Sequence, residues 1–405
     1  MKRRDLVKFF SIGPLAGAFI GSALPIGKAE ASPRKVKRNL IKELGLRPFI
    51  NAAGTYTTMT ASLMADEVME AIDFSAKEFV MYDDVQDKVG EKIAGICHAE
   101  SAMVTSGCWS ALVLGTAGVL TGMDEKKVEQ LPNVESFEKN EVIVQKGHNH
   151  DYIHALSNTG IKPVEIETRE ELEKAINSKT ALMYFLNESS PHGKILHQEW
   201  LEVAKKNNIP TIIDIAADIP PVENLWKYTD MGFDLVCISG GKAIRGPQSA
   251  GMLIGKKDLI AAARLSAPPR GGNIGRGMKV NKEEILGMYA ALDRYVKQDH
   301  EKEWKMWESQ VAVIENEAKK VKGVTTSVTV PPIANHTPAL SITWDTSIVK
   351  IARKDLQENL RNGDPSIEVM GKGDNTINIT VFMLKPGQEK VVAARVSEEL
   401  KKATV

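Results

Sequence analysis

The sequence predicts an α/β domain built on a mostly parallel sheet between helices, followed by a smaller α+β domain. Three observations carry this expectation. From about residue 61 to 295, helical stretches alternate with short β-branched runs, the pattern of strand–helix–strand units. Some of those runs, such as 235–238, are apolar throughout, as in strands of a sheet covered on both faces. Beyond residue 296 the runs alternate apolar and polar instead, as antiparallel strands with one wet face do.

Residues 66–80 and 84–96 read as amphipathic helices, with apolar positions three and four apart. "SAMVTSG" (101–107) reads as a strand and turn, and "CWSALVLGTAGVL" (108–120) as a helix packed on both sides. Residues 124–140 are charged, contain Pro132, and read as a surface insertion. Strands are expected at 141–145, 163–167, 181–186, 211–215, 235–238 and 250–254. Helices fall between several of them, notably at 169–176 and 198–207. Right-handed crossovers would gather the strand ends on one edge, where ligands bind. A long helix is expected over 282–310. The smaller domain then interleaves "TTSVTVPP", "ALSITWD", "SIEVM" and "NTINITVF" with helices at 353–361 and 387–401.

The chain has 405 residues, 43% hydrophobic and 26% charged, and a formal net charge of zero. That length holds two cores. The balanced charge leaves no electrostatic footprint for nucleic acid or an acidic membrane. Three cysteines, Cys97, Cys108 and Cys237, make no disulfide framework, and no C-x-x-C pair points to zinc. No metal centre is expected.

The first 31 residues have a basic start, an apolar middle and small residues at Ala29 and Ala31, the layout of a cleavable secretory signal. Arg3-Arg4-Asp5-Leu6-Val7-Lys8 resembles a twin-arginine export address. The alternative is an uncleaved membrane helix, but five Gly and Pro residues between 13 and 25 disfavour it. The expected divisions are a signal at 1–31, a segment at 32–60, a large domain at 61–295 and a small one at 296–405. The expected location is the periplasm.

One lysine stands out. In "DLVCISGGKAIRGPQSAGMLIG" (234–255), Lys242 follows an apolar run and two glycines. A lysine desolvated at a strand end gives up its ammonium proton readily. The free amine is a nucleophile toward aldehydes, the chemistry of Schiff-base formation. Pyridoxal phosphate also needs an acid for its ring nitrogen, a phosphate cradle and a flat group against its ring. Asp214 ends the strand of "TIIDIAAD" and is the candidate acid. Ser106, Gly107 and Cys108 sit where a strand turns into a helix, whose N-terminal N–H groups bind phosphate. Ser239 adds a hydroxyl. His148 and His150 of "QKGHNHDY" are candidates for the ring face. Arg270 and Arg276, around "GGNIGRG", suit a substrate carboxylate, or else make surface ion pairs. Tyr56 is a candidate for the entrance, His192 for facing substrate, and Arg245 for touching phosphate. Any one of these features alone is commonly structural; the order and the strand-end placement make the pattern.

The wording of "INAAGT", "DKVGEKIAGICHAESAMVTSGCWSAL", "EVIVQKGHNHDY", "SGGKAIRGPQSAGMLIGKKDLI" and "GRGMKVNKEEILGMYAAL" resembles fold-type-I pyridoxal phosphate enzymes. The resemblance is to the selenocysteine synthase-like branch and extends from about residue 40 to the C-terminus. Within it the chain looks closer to members similar to D-glucosaminate-6-phosphate ammonia-lyase than to the tRNA-charging members. By resemblance, Lys242 forms the Schiff base and Asp214 partners the pyridinium nitrogen. The family also implies a homodimer with residues of both chains at each site. The expected activity is a lyase acting on a hydroxylated amino acid, an amino sugar acid such as D-glucosaminate, with a small molecule as partner and no nucleic acid. The alternatives are racemisation, aldol cleavage, selenium-transferase-like chemistry, or an exported binding protein without catalysis.

Overall fold

The computed structural model describes residues 38–405, so the signal segment lies outside the described residues. Residues 38–47 form a unit of their own. It holds one short helix, α1 (Leu40–Glu43), whose first turn is capped by the Asn39 side chain.

From Pro48 onward, the larger sheet contains β2 (Ser101–Thr105), β3 (Glu141–Gln145), β4 (Lys162–Ile166), β5 (Thr180–Leu186), β6 (Thr211–Asp214), β7 (Leu235–Ser239) and β8 (Gly251–Gly255). Its order is β2-β8-β7-β6-β5-β3-β4. β3 to β7 run parallel; β8 is antiparallel to both its neighbours, β7 and β2. Every residue of β5 and β6 is buried, which is why these strands read as unbroken apolar runs. Helices α2 (Asp66–Ser75), α3 (Tyr82–Ile96), α4 (Gly107–Thr121), α5 (Glu125–Gln130), α6 (Ile153–Ser157), α7 (Arg169–Ala175), α8 (His197–Lys206), α9 (Asn224–Met231) and α10 (Lys257–Leu265) belong to this part of the chain. α4 is apolar on all sides and buried almost throughout, packed against the sheet and α10.

Two expectations are corrected here. Residues 124–140 are not a mere surface insertion: Val128, Leu131, Val134 and Phe137 are buried, the last three in the core beneath α4. α5 turns Val128 inward and the turns after it bring in the other three, while most of the charges stay exposed. The long helix expected over 282–310 is two helices, α11 (Lys282–Lys297) and α12 (His300–Ala318). The Asp299 side chain accepts from the Lys302 N–H and starts α12 afresh. α11 packs into the large core through Ile285, Met288 and Leu292; α12 packs into the small one through Trp307, Val311 and Ile314.

The small domain holds an antiparallel sheet of β9 (Val324–Thr329), β10 (Ala339–Trp344), β12 (Met370–Lys372) and β13 (Thr376–Thr380), in the order β12-β13-β10-β9. Helices α13 (Arg353–Asn362) and α14 (Gln388–Lys402) belong to it. β11 (Ser366–Glu368) does not join that sheet. It pairs in parallel with β1 (Phe49–Asn51), so the segment before the large domain is anchored to the small one. Ile50 and Ala52 enter the small-domain core there.

Candidate active site

The C-terminal ends of β3, β5, β6 and β7 lie on one edge of the sheet, where β8 begins. Asp214 ends β6 on this edge and is 3% exposed. Its Oδ1 accepts from the Ala216 N–H at 2.9 Å and from the Cys108 thiol at 3.5 Å. Both bonds fall on Oδ1, so Oδ2 keeps its lone pairs for an incoming N–H. Burial raises the carboxyl pKa above its ordinary value, opposed by the Ala216 N–H and the nearby Lys242 charge. Burial of a carboxylate without a cation is costly, and a cationic ring nitrogen would relieve that cost.

Lys242 lies on the turn after β7 and is half-buried. It lines a narrow cleft with Asp214, Tyr152, Leu186, Glu188, Ala216, Ala217 and Asp218. The turn is closed by backbone bonds from Gly240 to Ala250 and from Gly246 to Gly240. A larger cavity of about 440 Å³, around Lys205, Thr211, Asp234 and Lys256, opens at the start of β6. It lies at the opposite strand ends from Asp214 and Lys242, so chemistry rather than size identifies the narrow cleft.

Gly107 opens α4 with φ +83°, a conformation that favours glycine. β8 approaches this turn so closely that a β-carbon on Gly251 would lie 2.5 Å from the Gly107 carbonyl carbon. No side chain caps the helix, and its first turn carries no acidic residue. The Ser106 and Ser110 hydroxyls share a bond of 2.8 Å beside it. Cys108 stays a neutral thiol: its contact with Cys237 and its burial push its pKa well up. Ser239 ends β7 opposite Gly251. Ser106, Gly107, Cys108, Asp214, Ser239 and Lys242 therefore share one neighbourhood.

The other expected residues are placed differently. His148 is fully buried, accepts from the Leu186 N–H through Nδ1 and meets Phe185 edge-on at 4.6 Å. Burial lowers its pKa to about 4, so it is a neutral packing residue. His150 bonds the Ser189 hydroxyl at 2.7 Å. Neither histidine lines the cleft; the flat ring there is Tyr152, two residues further on. Arg270 donates to the Arg264 carbonyl at 3.2 Å and lies 3.7 Å from Asp83. Arg276 lines a separate groove with Tyr82, Pro268 and Lys279. Within one chain, neither arginine is among the residues of the cleft. Arg245 donates to the Phe382 carbonyl at 2.7 Å, tying the lysine turn to the small domain. Tyr56 is exposed, on a segment whose Ser62 hydroxyl donates to the Gly241 carbonyl at 2.7 Å. His192 lines a groove with Lys146 and Glu167 instead of the cleft.

Sequence reasoning missed Tyr152, Glu188 and Asp218. Asp218 had a visible signal, the second carboxylate of "DIAAD". Among the described residues, no cluster of His, Cys, Asp or Glu is arranged to hold a metal ion. No described helix is long and apolar enough to cross a membrane.

The residues present fit pyridoxal phosphate: an amine for its aldehyde, a buried carboxylate for its ring nitrogen and an uncapped helix N-terminus for its phosphate. Joined to this sheet, they give the chain the fold of fold-type-I pyridoxal phosphate-dependent enzymes and a site of matching chemistry. Residues 134–290 match the aminotransferase class-V family. The chain is 29% identical to D-glucosaminate-6-phosphate ammonia lyase of Salmonella typhimurium, over 89% of this chain and 97% of the relative. It is 26% identical to L-seryl-tRNA(Sec) selenium transferase of Alkaliphilus oremlandii, over 66% of this chain and 60% of the relative. A solved structure of D-glucosaminate-6-phosphate ammonia-lyase superposes with a TM-score of 0.79 at 27% identity, covering 91% of this chain and 99% of the other.

Proposed function

We propose that the protein is an ammonia-lyase that removes water and ammonia from a hydroxylated amino acid, an amino sugar acid such as D-glucosaminate, leaving a 2-oxo-3-deoxy acid. The observation that carries this is Lys242 and Asp214 in one cleft, in a chain similar along 89% of its length to a D-glucosaminate-6-phosphate ammonia lyase. Bound pyridoxal phosphate supplies an electron sink next to the substrate α-carbon. Asp214 would hold the proton on the ring nitrogen that makes the sink effective. The N–H groups opening α4 would hold the phosphate and so position the cofactor. Lys242 Nζ, as the free amine, takes the α-proton. Tyr152 and Leu186 narrow the cleft and exclude water from that transfer.

The test is ammonia release from a panel holding D-glucosaminate, its 6-phosphate and simpler β-hydroxy amino acids. Run in deuterium oxide, elimination places deuterium at carbon three of the oxo acid. An aldehyde with glycine or alanine would indicate aldol cleavage, and an inverted α-carbon with no ammonia would indicate racemisation. The twin-arginine pattern supports an enzyme of the periplasm, where phosphorylated sugars are scarce. The unphosphorylated acid is accordingly the preferred substrate in this reading.

A further inference from the structure

We propose that Asp218 is the acid that protonates the departing β-hydroxyl, an inference that rests on the elimination reading above. Asp218 lies four residues past Asp214, on the turn after β6, and is 2% exposed. Its Oδ1 accepts from Asn187 Nδ2 at 2.7 Å and from the Ala334 N–H of the small domain at 3.2 Å. Its Oδ2 is buried without any hydrogen-bond partner, and the residue lines the cleft that holds Lys242. An orphaned buried oxygen is costly unless something meets it there.

The surroundings keep a proton on this group. The groups bonded to the Asp218 carboxyl, the Asn187 amide and the Ala334 N–H, are neutral; Lys242 lies in the same cleft. Asp214 at the end of β6 and Glu188 after β5 both add negative charge nearby. Tyr228 of α9 presents only a neutral hydroxyl, which accepts from Asn187 Nδ2 at 2.8 Å, and burial pushes its pKa up. His197 of α8 donates its Nε2–H to Asn187 Oδ1 at 2.6 Å, which fixes the amide with its NH₂ toward Asp218. His197 is neutral, its pKa lowered to about 4 by burial. Burial first, then these carboxylates, raise the Asp218 pKa to about 7. With Oδ1 committed as an acceptor, the proton sits on Oδ2, a donor that finds no acceptor in the protein.

The leaving hydroxyl is such an acceptor. As the electrons of the α C–H bond form the Cα=Cβ bond, the Cβ–O bond breaks and its electrons stay on oxygen. That oxygen takes the Asp218 proton and departs as water; the carboxylate regains its proton from solvent before the next turnover. Lys242 and Asp218 thereby divide the work, one removing a proton at Cα and the other delivering one at Cβ–O.

The holoenzyme of Asp218→Asn, compared with Asp218→Glu, tests this. In deuterium oxide, the Asn variant should still exchange the substrate α-proton while releasing ammonia about 10²–10⁴-fold more slowly. Asp218→Glu should recover part of that loss and keep the wild-type fall in kcat as pH rises through about 7. The apo-protein supplies a second readout: an infrared band of a protonated carboxyl, lost as pH rises through about 7 and missing in the Asn variant. Exchange and release falling together, release unchanged, or a band that persists in Asp218→Asn would each overturn the assignment. If the wild type itself releases no ammonia from any substrate, the elimination reading falls with it; if only the variant comparison fails, that reading stands.

Discussion

Lys242 and Asp214 stand for different risks at the scale of single residues. Borohydride reduction of the holoenzyme should fix the cofactor on Lys242, as peptide mass mapping would reveal; a label on another lysine would reassign the site. Asp214→Asn should keep the cofactor but lose about 10²–10³-fold in kcat, because a neutral amide cannot hold the ring proton. Comparing single-turnover rates with cofactor content separates that effect from simple loss of binding. Both residues stood out in the sequence because each follows an apolar run: Asp214 ends β6, and Lys242 comes just past the end of β7. The aromatic side chain of the cleft did not. "GHNHDY" offers three flat side chains in five positions, and only the tertiary fold decides that His148 packs on Phe185 while Tyr152 reaches the cleft. Arg270 and Arg276 read as a carboxylate fork in sequence, yet α3 supplies Asp83 beside the first.

At the scale of elements, the close approach of β8 to the start of α4 shapes the proposed phosphate cradle. Gly251→Ala would place a methyl 2.5 Å from the Gly107 carbonyl carbon and 2.7 Å from the Cys108 nitrogen. We expect about 1–3 kcal/mol lost to overpacking, read as a lower urea midpoint, together with weaker cofactor retention. Unchanged retention with lowered stability would show that the turn is structural alone. The buried parallel strands were legible because both faces are apolar; strand pairing was less so. β11 reads as one more antiparallel strand, yet its partner is β1, more than three hundred positions away in the chain. Such a pairing leaves no local mark, because each strand is three residues long and only the pair buries Ile50 and Ile367. The break between α11 and α12 did leave one, an N-cap aspartate before "HEKEW".

At the scale of the whole molecule, Phe74 near the end of α2 and Phe79 and Met81 just before α3 are exposed, large apolar side chains of the kind a partner covers. A homodimer is expected, and sedimentation should give twice the chain mass, falling when Phe79 is changed to Glu. A fully active monomer would contradict it. Changing Arg3 and Arg4 together to lysine should leave precursor in the cytoplasm, seen by fractionation. One tether described above bears on how the enzyme is made. The lysine turn is held by Ser62, 179 positions before Gly241, and by Phe382, 137 positions after Arg245. At about 5–20 residues per second, a ribosome needs roughly 7–27 s to travel from Arg245 to Phe382. The nascent large domain therefore waits, with its nucleophile present but held only from the Ser62 side, until nearly the whole chain has emerged. Cofactor capture becomes a late event of biosynthesis, and a chain released before Phe382 should stay colourless.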